Sequence, residues 1–325
     1  MDFTGFLGND AVKARLSGAF ASGRVAHSYL LCGPAGSGKH TLTRILSAME
    51  CTAESKPCLA CPACRKVMQD IHPDVTFVRD AEHKELSIDT VRAMRADAFI
   101  RPNEGKRKIY IIPRGQDMNE SAQNALLKTI EEPPAYAVVM LLADNPDALL
   151  PTISSRCVQL NLKPVGDQLV KDYLMNEMHV PDYQAEVDAS LAQGNIGKAE
   201  RIARSPEYEE TLENALRMAK YADSMPLYEI VETIKKLTAE KDNIDDYFDI
   251  FSLWFRDVLL FKATKEVDSL VFKQELNGIR ERANKSSYEG LEKIIEAIQK
   301  ARARLNANVN FDLTMELMFL TMKEN

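Results

Sequence analysis

Residues 28–41 read SYLLCGPAGSGKHT, and this stretch carries the strongest structural signal in the chain. Its first five residues predict a short buried strand, its glycines predict a tight loop, and residues 41–49 predict a helix. A glycine-rich loop between a strand and a helix can bind phosphate oxygens through its backbone N–H groups and the helix N-terminus. The candidate phosphate-binding residues are Gly33, Gly36, Gly38, Lys39, His40 and Thr41.

The loop departs from an ATP-hydrolysing site in two respects. The residue after the lysine should carry a hydroxyl that binds Mg²⁺, but it is His40, and Thr41 is turned about 100° further around the helix. Hydrolysis also needs carboxylates at the end of a neighbouring strand, yet the apolar run 108–112 is followed by Pro113 and Arg114. We therefore expect no intrinsic ATPase activity, and any ATP or ADP would bind without turnover.

Apolar runs alternate with helical patterns through the first 160 residues. Strands are predicted at residues 28–32, 74–79, 108–112, 137–143 and 157–162, and helices at residues 9–22, 41–49, 87–99 and 120–131. Continuous Val, Ile and Leu runs between helices are typical of a parallel sheet covered on both faces. Only helical patterns follow Pro164, with residues 301–322 as the last. The predicted organisation is an α/β core over 1–164, a small helical unit over 165–205 and an all-helical domain over 206–325.

Composition limits the classes of function. The chain has 325 residues and a net charge of −7, so non-specific nucleic-acid binding is not expected of the whole surface. Residues 90–130 are an exception, with eight Lys or Arg against four acids. No membrane helix is expected, because the longest apolar run, 135–143, is far short of ~20 residues. No secretory signal is expected either, because residues 1–5 lack a basic region followed by an apolar core. The predicted location is cytoplasmic.

Four of the six cysteines fall within fourteen residues, in the pattern C-x6-C-x2-C-x2-C. They are Cys51, Cys58, Cys61 and Cys64. Such spacing in a cytosolic chain indicates a metal site more than disulfides, and four thiolates suit tetrahedral Zn²⁺ with no open position for chemistry. An iron–sulfur cluster, a redox pair and chance spacing remain alternatives. His72 lies close enough in the sequence to replace one ligand.

Several stretches together resemble the clamp-loader proteins of the AAA+ superfamily and, within them, the bacterial DNA polymerase III delta-prime subunits. They are HSYLL at 27–31, the cysteine module at 51–64, SAQNALLKTIEEPP at 121–134 and SRC at 155–157. The resemblance covers residues 1–165; the later WFRD at 254–257 is a weaker match. It implies an AAA+ core with an inserted zinc module, a helical lid and an α-helical collar that mediates oligomerisation.

The resemblance also implies a role. The chain would be a non-motor subunit that assembles with the motor (gamma/tau) and wrench (delta) subunits and, through that complex, meets the sliding clamp and primed DNA. Its activity would then belong to the DNA polymerase holoenzyme. The arginine of the SRC motif, Arg156, would act in trans on the ATP bound by a neighbouring subunit. Positions where motor subunits carry a sensor threonine and a sensor arginine fall here on Ala143 and Gly197.

Two other functions remain open at this stage. The chain could be an ATP-hydrolysing motor of the gamma/tau type, against which Pro113 and Arg114 argue. It could also be a zinc-dependent nucleic-acid-binding module on an unrelated NTPase-like body. The net negative charge and the small number of aromatic residues interleaved with the basic stretch argue against that function.

Overall fold

The structure, a computed structural model, describes residues 3–51, 61–80, 85–239 and 241–325. The chain divides into two compact units. The first comprises Met1–Val170 with Gly194–Lys198, and the second comprises Lys171–Gln193 with Ala199–Asn325. The three-part division at residues 164 and 205 stays a prediction.

The first unit alternates strands and helices. Its strands are β1 (Ser28–Cys32), β2 (Val75–Phe77), β3 (Lys108–Ile112), β4 (Ala137–Ala143) and β5 (Val158–Asn161). Its helices are α1 (Asp10–Ala21), α2 (Lys39–Cys51), α3 (Pro62–Met68), α4 (Ile88–Ala98), α5 (Glu120–Glu131) and α6 (Pro151–Ser154). Short 3-10 turns lie at Gly115–Asp117 and Pro146–Ala148.

All five strands run parallel, in the order β2-β3-β4-β1-β5, so the predicted parallel sheet is confirmed. Every residue of β1, β3 and β4 is buried, as expected for central strands covered on both faces. The two edge strands are shorter than predicted and partly exposed. Strand β1 lies between β4 and β5, and Cys32 is in register with Ala143.

The helix boundaries follow local capping chemistry. The Ser87 hydroxyl accepts the backbone N–H of Thr90 at 3.2 Å and starts α4, as the sequence predicts. The Asn119 side chain caps α5 in the same way, through the N–H of Ala122 at 2.9 Å. Helix α5 ends at Glu131, just before the Pro133-Pro134 pair that cannot continue it.

The remaining helices follow residue 166. They are α7 (Asp167–Met178), α8 (Asp182–Ala192), α9 (Ile196–Arg204), α10 (Pro206–Tyr221), α11 (Leu227–Ala239), α12 (Ile244–Thr264), α13 (Leu276–Lys285), α14 (Tyr288–Asn306) and α15 (Phe311–Glu324). Further 3-10 turns lie at Lys241–Asn243 and Lys273–Glu275. The predicted C-terminal helical region is confirmed.

Helix α12 forms the centre of the second unit and packs against α10, α13 and α14. Trp254 is fully buried and meets Phe255 edge to face, with ring centroids 5.0 Å apart. Phe251 also meets Phe319 of α15 edge to face, with ring centroids 6.0 Å apart. The Asp257 carboxylate, also buried, accepts the N–H groups of the loop before α13, those of Val271 and Phe272 at 2.8 and 2.9 Å.

The helical pattern over 301–322 belongs to two helices rather than one. The chain leaves α14 after Asn306, and Asn308 has a left-handed φ of 57° that ends the helix. Asn310 then caps α15, accepting the N–H of Leu313 at 2.9 Å. The apolar spacing continues across this turn, which explains why periodicity alone does not show the break.

A buried carboxylate in α8 gives the second unit a pH-dependent stability. Burial raises the pKa of Asp188 to about 6, with Glu209 adding to the shift, and Oδ2 accepts no hydrogen bond from the described residues. An acid with a raised folded-state pKa stabilises the fold at low pH. That stability is lost as the pH rises through the unfolded value near 3.9 towards 6.

Asp188→Asn is therefore expected to raise the free energy of unfolding at pH 8, by roughly 1–3 kcal/mol. The gain should shrink when urea unfolding is repeated at pH 4.5. Glu210→Gln, on the exposed surface of α10, is the matched control and should change the free energy by less than about 0.5 kcal/mol at either pH. A gain that is absent at pH 8 would contradict this account of Asp188.

In the described part of the chain, no helix combines the length and the hydropathy needed to cross a membrane. The longest, α12, has 21 residues and carries several charged side chains.

Candidate functional site

The predicted phosphate-binding loop lies where β1 passes into α2. Gly36 and Gly38 have left-handed φ angles of 83° and 88°, which side chains rarely tolerate. A Cβ on Gly36 would also lie 2.4 Å from the Asn195 side-chain oxygen. Strand, loop and helix therefore have the local geometry that the sequence predicts.

Lys39 is the first residue of α2, and its side chain is only 6% exposed. Its ammonium donates to the carbonyl oxygens of Gly33 and Pro34 and pairs with the Asp144 carboxylate at 2.7 Å. Asp144 follows β4 directly, so it faces the loop across the β1–β4 register. The sequence prediction did not include Asp144.

His40 occupies the position where a magnesium-binding hydroxyl would stand. Partial loss of hydration lowers the pKa of its imidazole, and the cations Arg44 and Arg79 lower it further. A neutral imidazole is a poor ligand for Mg²⁺, which prefers oxygen. The Thr43 hydroxyl, one turn further along, donates to the carbonyl of Lys39. The residues present therefore do not fit a magnesium-bearing nucleotide.

The end of β3 presents a cation where a hydrolytic site needs carboxylates. Arg114 follows Pro113 there, and its Nε lies 2.5 Å from Asp117 Oδ2. Asp117, the first acid after the strand, is thus paired with the arginine three residues before it. A guanidinium beside the first acid after β3 disfavours a metal ion at this point.

The basic stretch 90–130 is partly neutralised by carboxylates within it and next to it. Besides Arg114, Lys108 is buried and pairs with Asp97 at 2.9 Å, and Arg92 pairs with Asp89 at 3.2 Å. The eight cations of this stretch therefore do not all form one basic surface.

Arg156 lies on the loop between α6 and β5 and is 43% exposed. Its Nε pairs with Glu131 Oε1 at 2.8 Å, and a terminal nitrogen donates to the Thr152 carbonyl at 3.1 Å. Glu131 is the last residue of α5. The guanidinium is thus held at the surface by two contacts that leave part of it accessible.

Helix α5 positions this loop through a second side chain. Gln123 is buried, donates to the Met118 carbonyl at 3.1 Å and accepts the N–H of Leu150 at 2.8 Å. Leu150 immediately precedes α6, so the stretch 121–134 contacts the chain just before α6, through Gln123, and just after it, where Glu131 pairs with Arg156. Sequence reasoning recognised this stretch as a motif but did not assign these roles to Gln123 and Glu131.

Two of the four candidate metal ligands can be described. Cys61 caps α3, and its sulfur accepts the N–H of Cys64 at 3.4 Å, so both thiols belong to one tight turn. Cys58 lies outside the described residues, and so does the side chain of Cys51. The described pair fits half of a thiolate site. Among described residues, no three metal-ligating side chains converge.

The other two cysteines have a structural role. Cys32 is buried at the end of β1, and Cys157 packs against the same core cluster. Burial raises the pKa of Cys157 to about 12, so its thiol stays protonated at neutral pH and is a poor nucleophile.

Comparison with known proteins places this geometry in a family. A family model described as "DNA polymerase III, delta subunit" matches residues 8–166, and one described as "DNA polymerase III, delta subunit, C terminal" matches residues 210–324. Over most of its length, the chain is therefore similar to the DNA polymerase III subunits that these two models describe. The two matches together span the phosphate-loop unit and most of the C-terminal helices.

Three relatives refine the comparison. DNA polymerase III subunit delta' of Bacillus subtilis is 27% identical over 93% of this chain and 92% of its own length. Subunit delta' of Pseudomonas aeruginosa is 37% identical over half of each chain. Subunit tau of Bacillus subtilis is 24% identical over 93% of this chain, which spans only 58% of that protein. The resemblance to delta-prime subunits is confirmed.

Proposed function

We propose that this chain is the delta-prime-type, non-motor subunit of a bacterial sliding-clamp loader. The observation that carries the proposal is a phosphate-loop fold whose hydrolytic positions hold Pro113, Arg114 and His40. The similarity to delta-prime subunits over almost the whole of both chains supports it. In this role the chain would form part of an AAA+ ring or spiral, and it would not need to hydrolyse ATP itself.

The proposed partners are the motor (gamma/tau) and wrench (delta) subunits. Through the complex, the chain would act on the sliding clamp and on primed DNA. The α-helical region after residue 206 would form the collar that joins the subunits, residues 165–205 the lid, and residues 1–164 the AAA+ core. Loading of the clamp would be the activity to which this chain contributes.

Arg156 is the residue through which the chain would act on a neighbour. A guanidinium facing the γ-phosphate of a bound nucleotide neutralises the charge that develops during transfer, an effect worth about 10³–10⁵ in rate for arginine fingers. The partial exposure of Arg156 supports the proposal, because a buried arginine could not reach another subunit. Its pairing with Glu131 holds the side chain near one orientation before assembly.

Zinc is the proposed metal of the cysteine module, held by Cys51, Cys58, Cys61 and Cys64. The Cys61–Cys64 turn supports this, since the N–H of Cys64 donates to the Cys61 sulfur and keeps both cysteines on one tight turn. Four thiolates would close the coordination sphere, so the metal would stabilise the segment between α2 and β2 and take no part in a reaction.

The motor function is the second candidate, favoured by the similarity to a tau subunit over 93% of the chain. The two functions differ in intrinsic turnover. The isolated chain is expected to hydrolyse ATP no faster than background, because Arg114 and His40 stand where Mg²⁺ would be bound. Steady turnover near 1 s⁻¹, at the low end for enzymes, that disappeared in Lys39→Ala would establish the motor instead.

Clamp loading tests the proposed function directly. Motor and wrench subunits from the same source are assembled with and without this chain, and clamp deposited on primed DNA is measured. We expect efficient loading only when the chain is present. Equal loading in its absence would refute the assignment.

A further inference from the structure

The ends of β1 and β4 bring an acid against the phosphate-binding loop. Cys32 and Ala143 are in register, and the N–H of Gly33 donates to the Ala143 carbonyl at 3.2 Å. The next residue along β4 is Asp144, so its carboxylate lies beside the loop. Gln116 donates to the other oxygen of this carboxylate at 3.0 Å and helps to fix it.

The contacts of Lys39 account for its whole donor capacity. An ammonium has three N–H bonds, and the structure gives three acceptors: the carbonyls of Gly33 and Pro34 and Asp144 Oδ1. A phosphate oxygen could bond to this nitrogen only by displacing one of them. The two carbonyls belong to the loop itself, whereas the Asp144 side chain is 51% exposed and can rotate away.

The tip of the phosphate-binding loop also accepts hydrogen bonds from other residues of the first unit. The Asn195 side-chain amide donates to the Ala35 carbonyl at 2.7 Å, and the N–H of Gly197 donates to the Gly36 carbonyl at 3.0 Å. A Cβ on Gly197 would lie 2.6 Å from the Gly36 Cα, so the two backbones are in close contact. The first unit thus fixes the loop from two sides with its own residues.

We propose that Asp144 is the internal anion of this loop and lowers the affinity of the loop for nucleoside triphosphates. Its carboxylate neutralises Lys39, the cation that would otherwise attract the phosphates, and repels a polyanion that approaches the same nitrogen. The proposal concerns binding alone and does not depend on assembly or on the role of Arg156. It adds the residue directly after β4 to the missing Mg²⁺ ligands as a cause of weakened nucleotide binding.

The experiment compares ATP binding to the full chain by calorimetry, without Mg²⁺, for wild type, Asp144→Asn and Asp144→Ser. Both variants are expected to bind ATP at least tenfold more tightly than wild type. The gain should disappear when Lys39→Ala is added, because the released ammonium is its source. Circular dichroism and thermal unfolding confirm that each variant is folded.

Asp147→Asn is the matched control, because it removes one negative charge from the same exposed loop without touching Lys39. It should bind ATP as wild type does. The proposal is overturned if folded Asp144 variants bind no more tightly than wild type. It is equally overturned if Asp147→Asn gives the same gain, which would make the effect one of net charge, or if the gain survives Lys39→Ala.

Discussion

Arg156→Ala in the reconstituted clamp loader is expected to lower DNA-stimulated ATP turnover at the neighbouring motor site at least tenfold. Water cannot replace a fixed guanidinium opposite a developing phosphate charge in a closed interface. The chain itself should stay folded, because the side chain is 43% exposed and its partners, Glu131 and Thr152, remain near solvent. Turnover is measured on complexes that assemble to the same extent.

Two further variants make this result specific. Arg156→Lys should rescue poorly, since an ammonium is a point charge without the planar fork of arginine. Arg92→Ala is the matched control, because Arg92 is also an exposed, ion-paired arginine of the first unit. It should leave turnover unchanged. Equal turnover with wild type and Arg156→Ala would show that Arg156 is a surface residue only.

Removing the metal from the cysteine module should produce the second large effect. Freshly purified protein is expected to contain one zinc per chain, and a strong chelator or Cys64→Ser should remove it and lower the unfolding temperature of the first unit. Structural zinc sites contribute about 10–16 kcal/mol of apparent binding free energy in small peptides, of which a larger domain would show only part.

Metal analysis and thermal unfolding check this prediction together. Cys157→Ser is the control for metal content, because Cys157 packs against the core next to β5. This substitution should not change the number of zinc ions per chain. Well under half an equivalent of zinc in fresh protein, with no iron in its place, would rule out the site. Two to four iron atoms per chain, together with inorganic sulfide, would instead establish the cluster alternative.

The central strands and the loop could be predicted from the sequence because their signals are local. Residues 28–32, 108–112 and 137–143 are continuous apolar runs bounded by loop residues, and the structure gives the same limits. The edge strands are shorter in the structure than predicted, although Val78 and Leu162, just beyond them, still donate hydrogen bonds to the neighbouring strands. Capping by Ser87 is likewise a property of adjacent residues.

Asp144 could not be found in this way, because its pairing depends on sheet order. Its partner, Lys39, is 105 residues earlier, and the two meet only because β4 lies next to β1. A carboxylate at the end of an apolar strand is a signal that could have been used, had that order been known. The role of Glu131 could not be found from local sequence either, because Glu131 lies at the end of α5 and pairs with Arg156 on a later loop.

Helical periodicity does not show where along a helix of the second unit burial begins. Leu227 continues the apolar spacing of Ile230 and Ile234, yet it is exposed at the start of α11, whereas the later two are buried. A first helical turn has fewer neighbours to cover it than the turns that follow. Spacing identifies the face of a helix but not where along the helix that face meets the core.

Assembly is the most direct test of the central claim that this chain is a clamp-loader subunit. The chain is mixed with the motor and wrench subunits from the same source at micromolar concentration and analysed by size-exclusion chromatography. The account predicts one stable complex that contains all three proteins. Elution of this chain alone, while the other two remain associated, would contradict it.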